Sequence, residues 1–308
     1  MRRQHLWATL GLSLLVTASV TTGVTARQPG RPGEADVNVA STLRRVGERV
    51  ERYFARAQSI MCIETVRWQP LGLSLGAEGF ARQVESELRL SWDPDAQPGP
   101  ALEATTVRQV VKVNGHRPRT NDRDNCTTPE QNTTETQPLS MLLPSQRSDY
   151  TFTLGGRATV DRRRAILLDF QEVAAATVAV EMVKDNENCI SFNIQGGSRG
   201  RIWVDADTYD VLRLDQRLGG NLTIPMPKKA RRSGAADYWT MERMDSSIRF
   251  KPVTFQDPEE TLVLPVSVTS LRITHGSGTP RLRTTTEYSR YKRFLTGGRI
   301  VQHEPGQP

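Results

Sequence analysis

The stretch Phe80-Ala81-Arg82-Gln83-Val84-Glu85-Ser86-Glu87-Leu88-Arg89-Leu90-Ser91-Trp92 decides the fold class. Its even positions hold Phe80, Val84, Leu88, Leu90 and Trp92, with Arg82 and Ser86 between them. Its odd positions are polar except for Ala81. A period of two is a β-strand with one dry and one wet face. Further strands are predicted outward from it in both directions. They cover Thr106 to Val113, Tyr150 to Leu154, Ala165 to Phe170, Thr177 to Val183, Cys189 to Ile194, Arg201 to Val204 and Asp210 to Arg217. Residues 238–251, 261–274 and 281–293 complete the set, and Met61-Cys62-Ile63 belongs to an apolar strand. Asn114-Gly115 is a hairpin signal, and Asp205 to Tyr209 connects two strands through turn-forming Asp.

One segment breaks the pattern. Val39, Leu43, Val46, Val50, Tyr53, Phe54 and Ala57 recur every three or four residues, with Arg44, Arg45, Glu48, Arg49, Glu51 and Arg52 opposite. That is an amphipathic helix with one buried stripe, capped by Ser41 or by Asp36 further back. Leu139 to Leu143 is read as one helical turn stopped by Pro144. There is no βαβ alternation, so a parallel sheet is not expected. About ten or eleven antiparallel strands must twist, curl or close. The fold class is mainly β: a strongly curved antiparallel sheet, or open half-barrel, with the N-terminal helix packed on the concave face. The apolar side moves from Leu262, Leu264, Val266 and Val268 to Leu271 and Ile273, and from Leu282 and Tyr288 to Tyr291. Such phase slips are expected at β-bulges.

The chain has 308 residues, 37% hydrophobic, with a formal charge of +7. This excludes a disordered chain or a low-complexity repeat. Arg2 and Arg3 precede an uncharged run from Leu6 to Val24, and Val24-Thr25-Ala26 is a cleavage site. Residues 1–26 are therefore read as a signal peptide, and the mature chain as periplasmic or secreted. An uncleaved anchor is the competing reading, opposed by the Ser and Thr residues within the run. Residues 27–35 are a flexible leader, 36–296 a single β domain, and 297–308 a disordered tail.

Removal of Arg2 and Arg3 takes the net charge from +7 to +5. The positive charge gathers at Arg162-Arg163-Arg164 and at Lys228, Lys229, Arg231 and Arg232. Outside the cytoplasm the partners of such runs are anionic membrane surfaces, cell-wall polymers or proteins, and no nucleic acid is expected. Solvated turn tips are the plainer account of both. The cysteines are Cys62, Cys126 and Cys189. An oxidising compartment suggests one bridge and one spare thiol. Cys126 with Cys189, each beside a polar loop, is the favoured pair, and the other two pairings stay open. That bridge would close about 60 residues and contribute on the order of 4 kcal/mol.

The stretch Gly200-Arg201-Ile202-Trp203-Val204-Asp205-Ala206-Asp207-Thr208-Tyr209-Asp210-Val211-Leu212-Arg213-Leu214 resembles a hairpin of the lipoprotein-carrier-like fold. This is the fold of the LolA/LolB and RseB-like half-barrels of outer-membrane lipoprotein sorting. Leu264-Pro265 and the closing strand with Tyr288, Tyr291 and Phe294 follow in a similar order. The resemblance spans about residues 37–295 in element order, and it carries over no functional residue. The long polar loop at 118–138 and the basic segment near 228–232 depart from it.

A half-closed apolar sheet would hold an acyl chain, at roughly 0.8 kcal/mol per buried methylene. Val84, Leu88, Leu90, Trp92, Ile202, Val204, Leu212 and Leu214 are the candidate lining residues; plain core is their alternative reading. The function expected is an exported, non-enzymatic binding protein for a lipid or a lipoprotein acyl group. A structural or sensory protein-interaction module of the same fold is the alternative.

Catalytic and metal motifs are thin. Gly72-Leu73-Ser74-Leu75-Gly76 matches the nucleophile elbow, a remote hydrolase reading, but a strand follows where that motif needs a helix. His116 and His275 have no ligand at metal spacing. Asp205, Asp207 and Asp210 lack the Gly and Glu of a calcium loop. No metal and no cofactor are expected.

Overall fold

The computed structural model describes residues 38–56, 60–91, 105–122, 138–183, 186–228, 237–256, 259–277 and 279–293. All of them fall within one compact unit, Asn38–Pro308. The expected signal peptide, leader, most of the 118–138 loop and the tail lie outside them, as do Trp92, Cys126, Lys229, Arg231 and Arg232.

Helix α1 spans Val39–Arg56. The cap differs from both expected residues: the Ala40 N–H donates to Asn38 Oδ1 at 2.8 Å. Asn38 suits this site because its short side-chain oxygen satisfies a first-turn N–H. The stripe Leu43, Val46, Val50 and Phe54 is buried. Gly47 permits the close packing of the 3₁₀ turn Pro138–Leu142, since a Cβ there would lie 3.1 Å from the Leu142 carbonyl. Arg147 pins this contact by donating to the Leu43 and Leu142 carbonyls at 2.9 and 2.8 Å.

Thirteen strands follow: β1 Ile60–Pro70, β2 Arg82–Ser91, β3 Thr105–Val113, β4 Tyr150–Val160, β5 Arg163–Glu172, β6 Thr177–Val183, β7 Asn186–Gln195, β8 Ser198–Asp205, β9 Val211–Leu218, β10 Leu222–Pro225, β11 Tyr238–Gln256, β12 Glu259–His275 and β13 Arg281–Arg293. Eleven form one antiparallel sheet in the order β3-β2-β1-β13-β12-β11-β9-β8-β5-β4, with β10 also on β11. The sheet curves without closing, and α1 packs on its concave face. Strands β6 and β7 form a separate two-stranded sheet. Their apolar residues Val178, Val180, Phe192 and Ile194 pack on the buried cluster of Leu222, Ile224, Met226 and Met241. No described helix is long and apolar enough to cross a membrane.

The slip at Tyr291 is a bulge: Met61 pairs Lys292 and Ile63 pairs Ser289, while Arg290 adopts φ 55°. The slip after Val268 is not. Pairing runs unbroken from Ser267 to Leu271, and the shift lies between Pro265 and Ser267. Leu271 therefore keeps register and faces outward.

Candidate functional site

The concave face is built from alternate residues of the strands. Val84, Leu88, Leu90, Ile202, Val204, Leu212 and Leu214 are all buried, at most 8% exposed. Val84 packs with Val66, Trp68, Val113 and Leu282. Ile202 opposes Leu214 across β8 and β9 and Leu168 across β5. Leu212 is the extra residue where Trp203 pairs Arg213 and Val204 pairs Val211. Between the β2 group and the β8 group lie six strand spacings, about 29 Å along the sheet. These residues form two patches of one face.

Buried polar groups share this apolar face, among them Thr274, Thr286 and one ion pair. Glu64 on β1 and Arg108 on β3 form a two-point ion pair at 2.8 and 3.2 Å. Their side chains are 2% and 4% exposed. Ser86 stands directly opposite Glu64 on β2, and Thr106 lies two residues from Arg108. Both hydroxyls are buried with no hydrogen-bond partner. A buried hydroxyl without a partner loses its hydration without compensation, so both groups are under-satisfied. Cys62 is buried nearby as a free thiol. Burial and the Glu64 charge push it up to about 12, against a smaller opposing pull from Arg108. It is inert to thiolate chemistry while buried.

Helix α1 covers the face and is tied to the β8–β9 turn. Arg49 donates twice to Asp210, at 2.7 and 2.9 Å. Arg45 donates to the Tyr209 hydroxyl and lies 4.9 Å from its ring centroid. The turn is held by Asp205, whose Oδ1 accepts from the N–H groups of Asp207 and Thr208 at 2.9 and 2.7 Å. Arg163 pairs with its other oxygen at 2.7 Å. Burial pushes the Asp205 carboxyl up, but these donors together outweigh it and hold it below its ordinary value. The aspartates of this loop thus serve the turn and the helix. A cavity of about 60 Å³ remains at the seam, between Val50, Tyr53, Phe250 and Leu262. That is room for water, not for a lipid.

The other candidates are dispersed. Ser74 is exposed in the loop between β1 and β2, and no helix follows it. His275 bonds Glu242 at 2.6 Å on the surface, and His116 is exposed beside the Asn114-Gly115 turn. No cluster of three or more metal-ligating residues occurs among the described residues. Lys228 is exposed, and the side chain of Cys189 lies outside what is described. Sequence reasoning missed Glu64 and Arg108. Glu64 could have been found as the one charge among Ile60, Cys62, Val66 and Trp68 on the inward positions of β1.

This geometry is an open antiparallel half-barrel covered by one helix, the class to which the sequence was likened. Solved structures of that class are similar to the chain. One is an outer-membrane lipoprotein-sorting protein domain from Vibrio parahaemolyticus, 12% identical, covering 85% of this chain and 96% of its own, with a TM-score of 0.39. A LolA superfamily protein from Nitrosomonas europaea is 10% identical over 84% and 94%, with a TM-score of 0.32. The MucA/MucB complex of Pseudomonas aeruginosa gives 11% identity over 79% and 93%, with a TM-score of 0.23. No protein-family profile and no curated protein matches the chain.

Proposed function

We propose that this chain is an exported, non-enzymatic binding protein that takes an acyl chain, of a lipid or a lipoprotein, onto its concave face in exchange for helix α1. The observation that carries the reading is the cover itself: a single stripe of Leu43, Val46, Val50 and Phe54 closes an apolar face many strands wide. Burial of four such side chains contributes about 6–12 kcal/mol, and burial of ten methylenes contributes about 8 kcal/mol. Helix and acyl chain are thus matched competitors for one surface. The Glu64–Arg108 pair and the free Ser86 and Thr106 hydroxyls would meet the polar linkage of such a ligand.

Lipid extraction and mass spectrometry of the purified mature protein test this, with a fluorescent fatty acid as the binding probe. Bound lipid and saturable probe binding are expected. Leu88→Glu should abolish both. Joining Val50→Cys to Leu262→Cys, which wall the same seam, should block uptake until reduced. Wild-type protein that carries no lipid and ignores the probe would end the proposal.

A further inference from the structure

The face opposite α1 carries a site of different chemistry. Outward residues of β5, β8, β9, β11, β12 and β13 wall a trough of about 690 Å³. It crosses six neighbouring strands, about 24 Å. Its floor is two cross-strand rows. The first runs Asp169, Arg201, Asp215, Ser247, Thr269. The second runs Gln171, Arg199, Arg217, Asp245, Leu271, Arg283.

The charges are not arranged for mutual pairing alone. Asp169 is bound at two points by Arg201, at 2.6 and 2.9 Å. Asp215 is bound at two points by Arg213 and accepts the Ser247 hydroxyl at 2.7 Å. Asp245 is taken by Arg243 at 2.6 Å. Every carboxylate of the trough is therefore neutralised by its own arginine. Arg199, Arg217 and Arg283 form no ion pair with any described residue. Arg199 and Arg217 stand directly opposite each other on adjacent strands. Like charges so placed destabilise a sheet. An anion between them would reverse the sign of that interaction, with the two-point geometry that guanidinium offers carboxylate and phosphate.

The rest of the lining narrows the ligand. Gln171, Ser247 and Thr269 are neutral hydrogen-bonding side chains on the same outward positions. The neutralised carboxylates still accept from hydroxyl groups. Trp203 and Leu271 add apolar surface, but the charged rows break it up, and an acyl chain laid across them would have to desolvate those charges. The trough crosses the strands instead of following an edge, so it offers no main-chain ladder to a peptide. A bilayer is flat and would meet the three acidic groups as well as the arginines. The geometry points to an anionic oligosaccharide as the occupant, its carboxylate or phosphate between Arg199 and Arg217 and its hydroxyls on the amide and hydroxyl side chains. This site is on the opposite face from the acyl site and stands or falls without it.

Calorimetric titration of the full mature chain tests it, with oligogalacturonate and phosphomannan as carboxylate and phosphate probes. Neutral maltohexaose, polyglutamate and phosphatidylglycerol vesicles are the comparisons. At least one anionic sugar should bind, weaken steeply with salt, and lose at least tenfold in affinity in Arg199→Gln with Arg217→Gln. That variant should melt at or above the wild-type temperature, which separates lost binding from lost folding. Affinity unchanged in the variant, equal binding of polyglutamate, binding to vesicles alone, or binding of none of the probes would each overturn the assignment.

Discussion

The two faces of this sheet handle charge in opposite ways. Inside, Glu64 and Arg108 are sealed together at 2% and 4% exposure, and removing either partner strands the other. Outside, Arg199 and Arg217 confront each other in the open with no carboxylate between them. The inner pair is fixed by the low dielectric around it. The outer pair is tolerated because water screens it. The lesson is that an ion pair sealed from water fixes structure, whereas an exposed like-charge pair is free of that duty, and the proposed anion site rests on it.

The sharpest way to break the comparison is Arg108→Ala. It leaves Glu64 buried and unpaired, and should lower the unfolding free energy by about 3–5 kcal/mol in a urea titration. Glu64→Leu combined with Arg108→Met should restore stability to within about 1 kcal/mol of the parent while reducing uptake of the fatty-acid probe. Equal damage from the single and the double variant would show that the site is sensitive to volume and not to charge.

Asp205 comes next. Its folded carboxyl is held low, so its contribution is present above the unfolded value and is lost as pH falls through the folded one. Asp205→Asn should remove about 2 kcal/mol at neutral pH and flatten the acid limb of the stability profile. A parallel profile for variant and parent would contradict the proposed role of the turn.

A smaller effect is expected at the β4–β5 turn, where Asp161 and Arg162 both hold positive φ, 46° and 68°. Arg162→Gly should relieve strain and stabilise by about 1 kcal/mol, raising Tm by a few degrees. Least of all, Arg217→Gln should change stability by no more than about 0.5 kcal/mol, on the stabilising side. A clear loss would mean that Arg217 has a structural duty of its own.

Much of this was legible in the chain. The alternation from Phe80 to Trp92 and the 3.6-residue stripe from Val39 are strong local periodicities, and they give β2 and α1 within a residue or two. Residues 281–293 match β13 because its bulge at Arg290 shifts the apolar side without ending the strand. Local pattern failed where pairing decides. β10 is four residues long and too short to show a period. Strands β6 and β7 read like any other hairpin, although they leave the main sheet. The apolar shift to Leu271 looked like a bulge, because sequence cannot separate a broken register from a residue that turns outward for a reason. The trough was invisible for the same cause: its rows join residues up to about a hundred positions apart, and only register sets Arg199 against Arg217.

Cys62 gives this molecule a clock. The thiol is buried beneath the apolar face and held almost wholly protonated, so an alkylating reagent reaches it only when the interior opens. With Cys126 and Cys189 replaced by serine, the labelling rate at this lone thiol would time how often the helix lets go. A fatty acid that occupied the vacated surface would slow that rate, in solution and without any engineered probe.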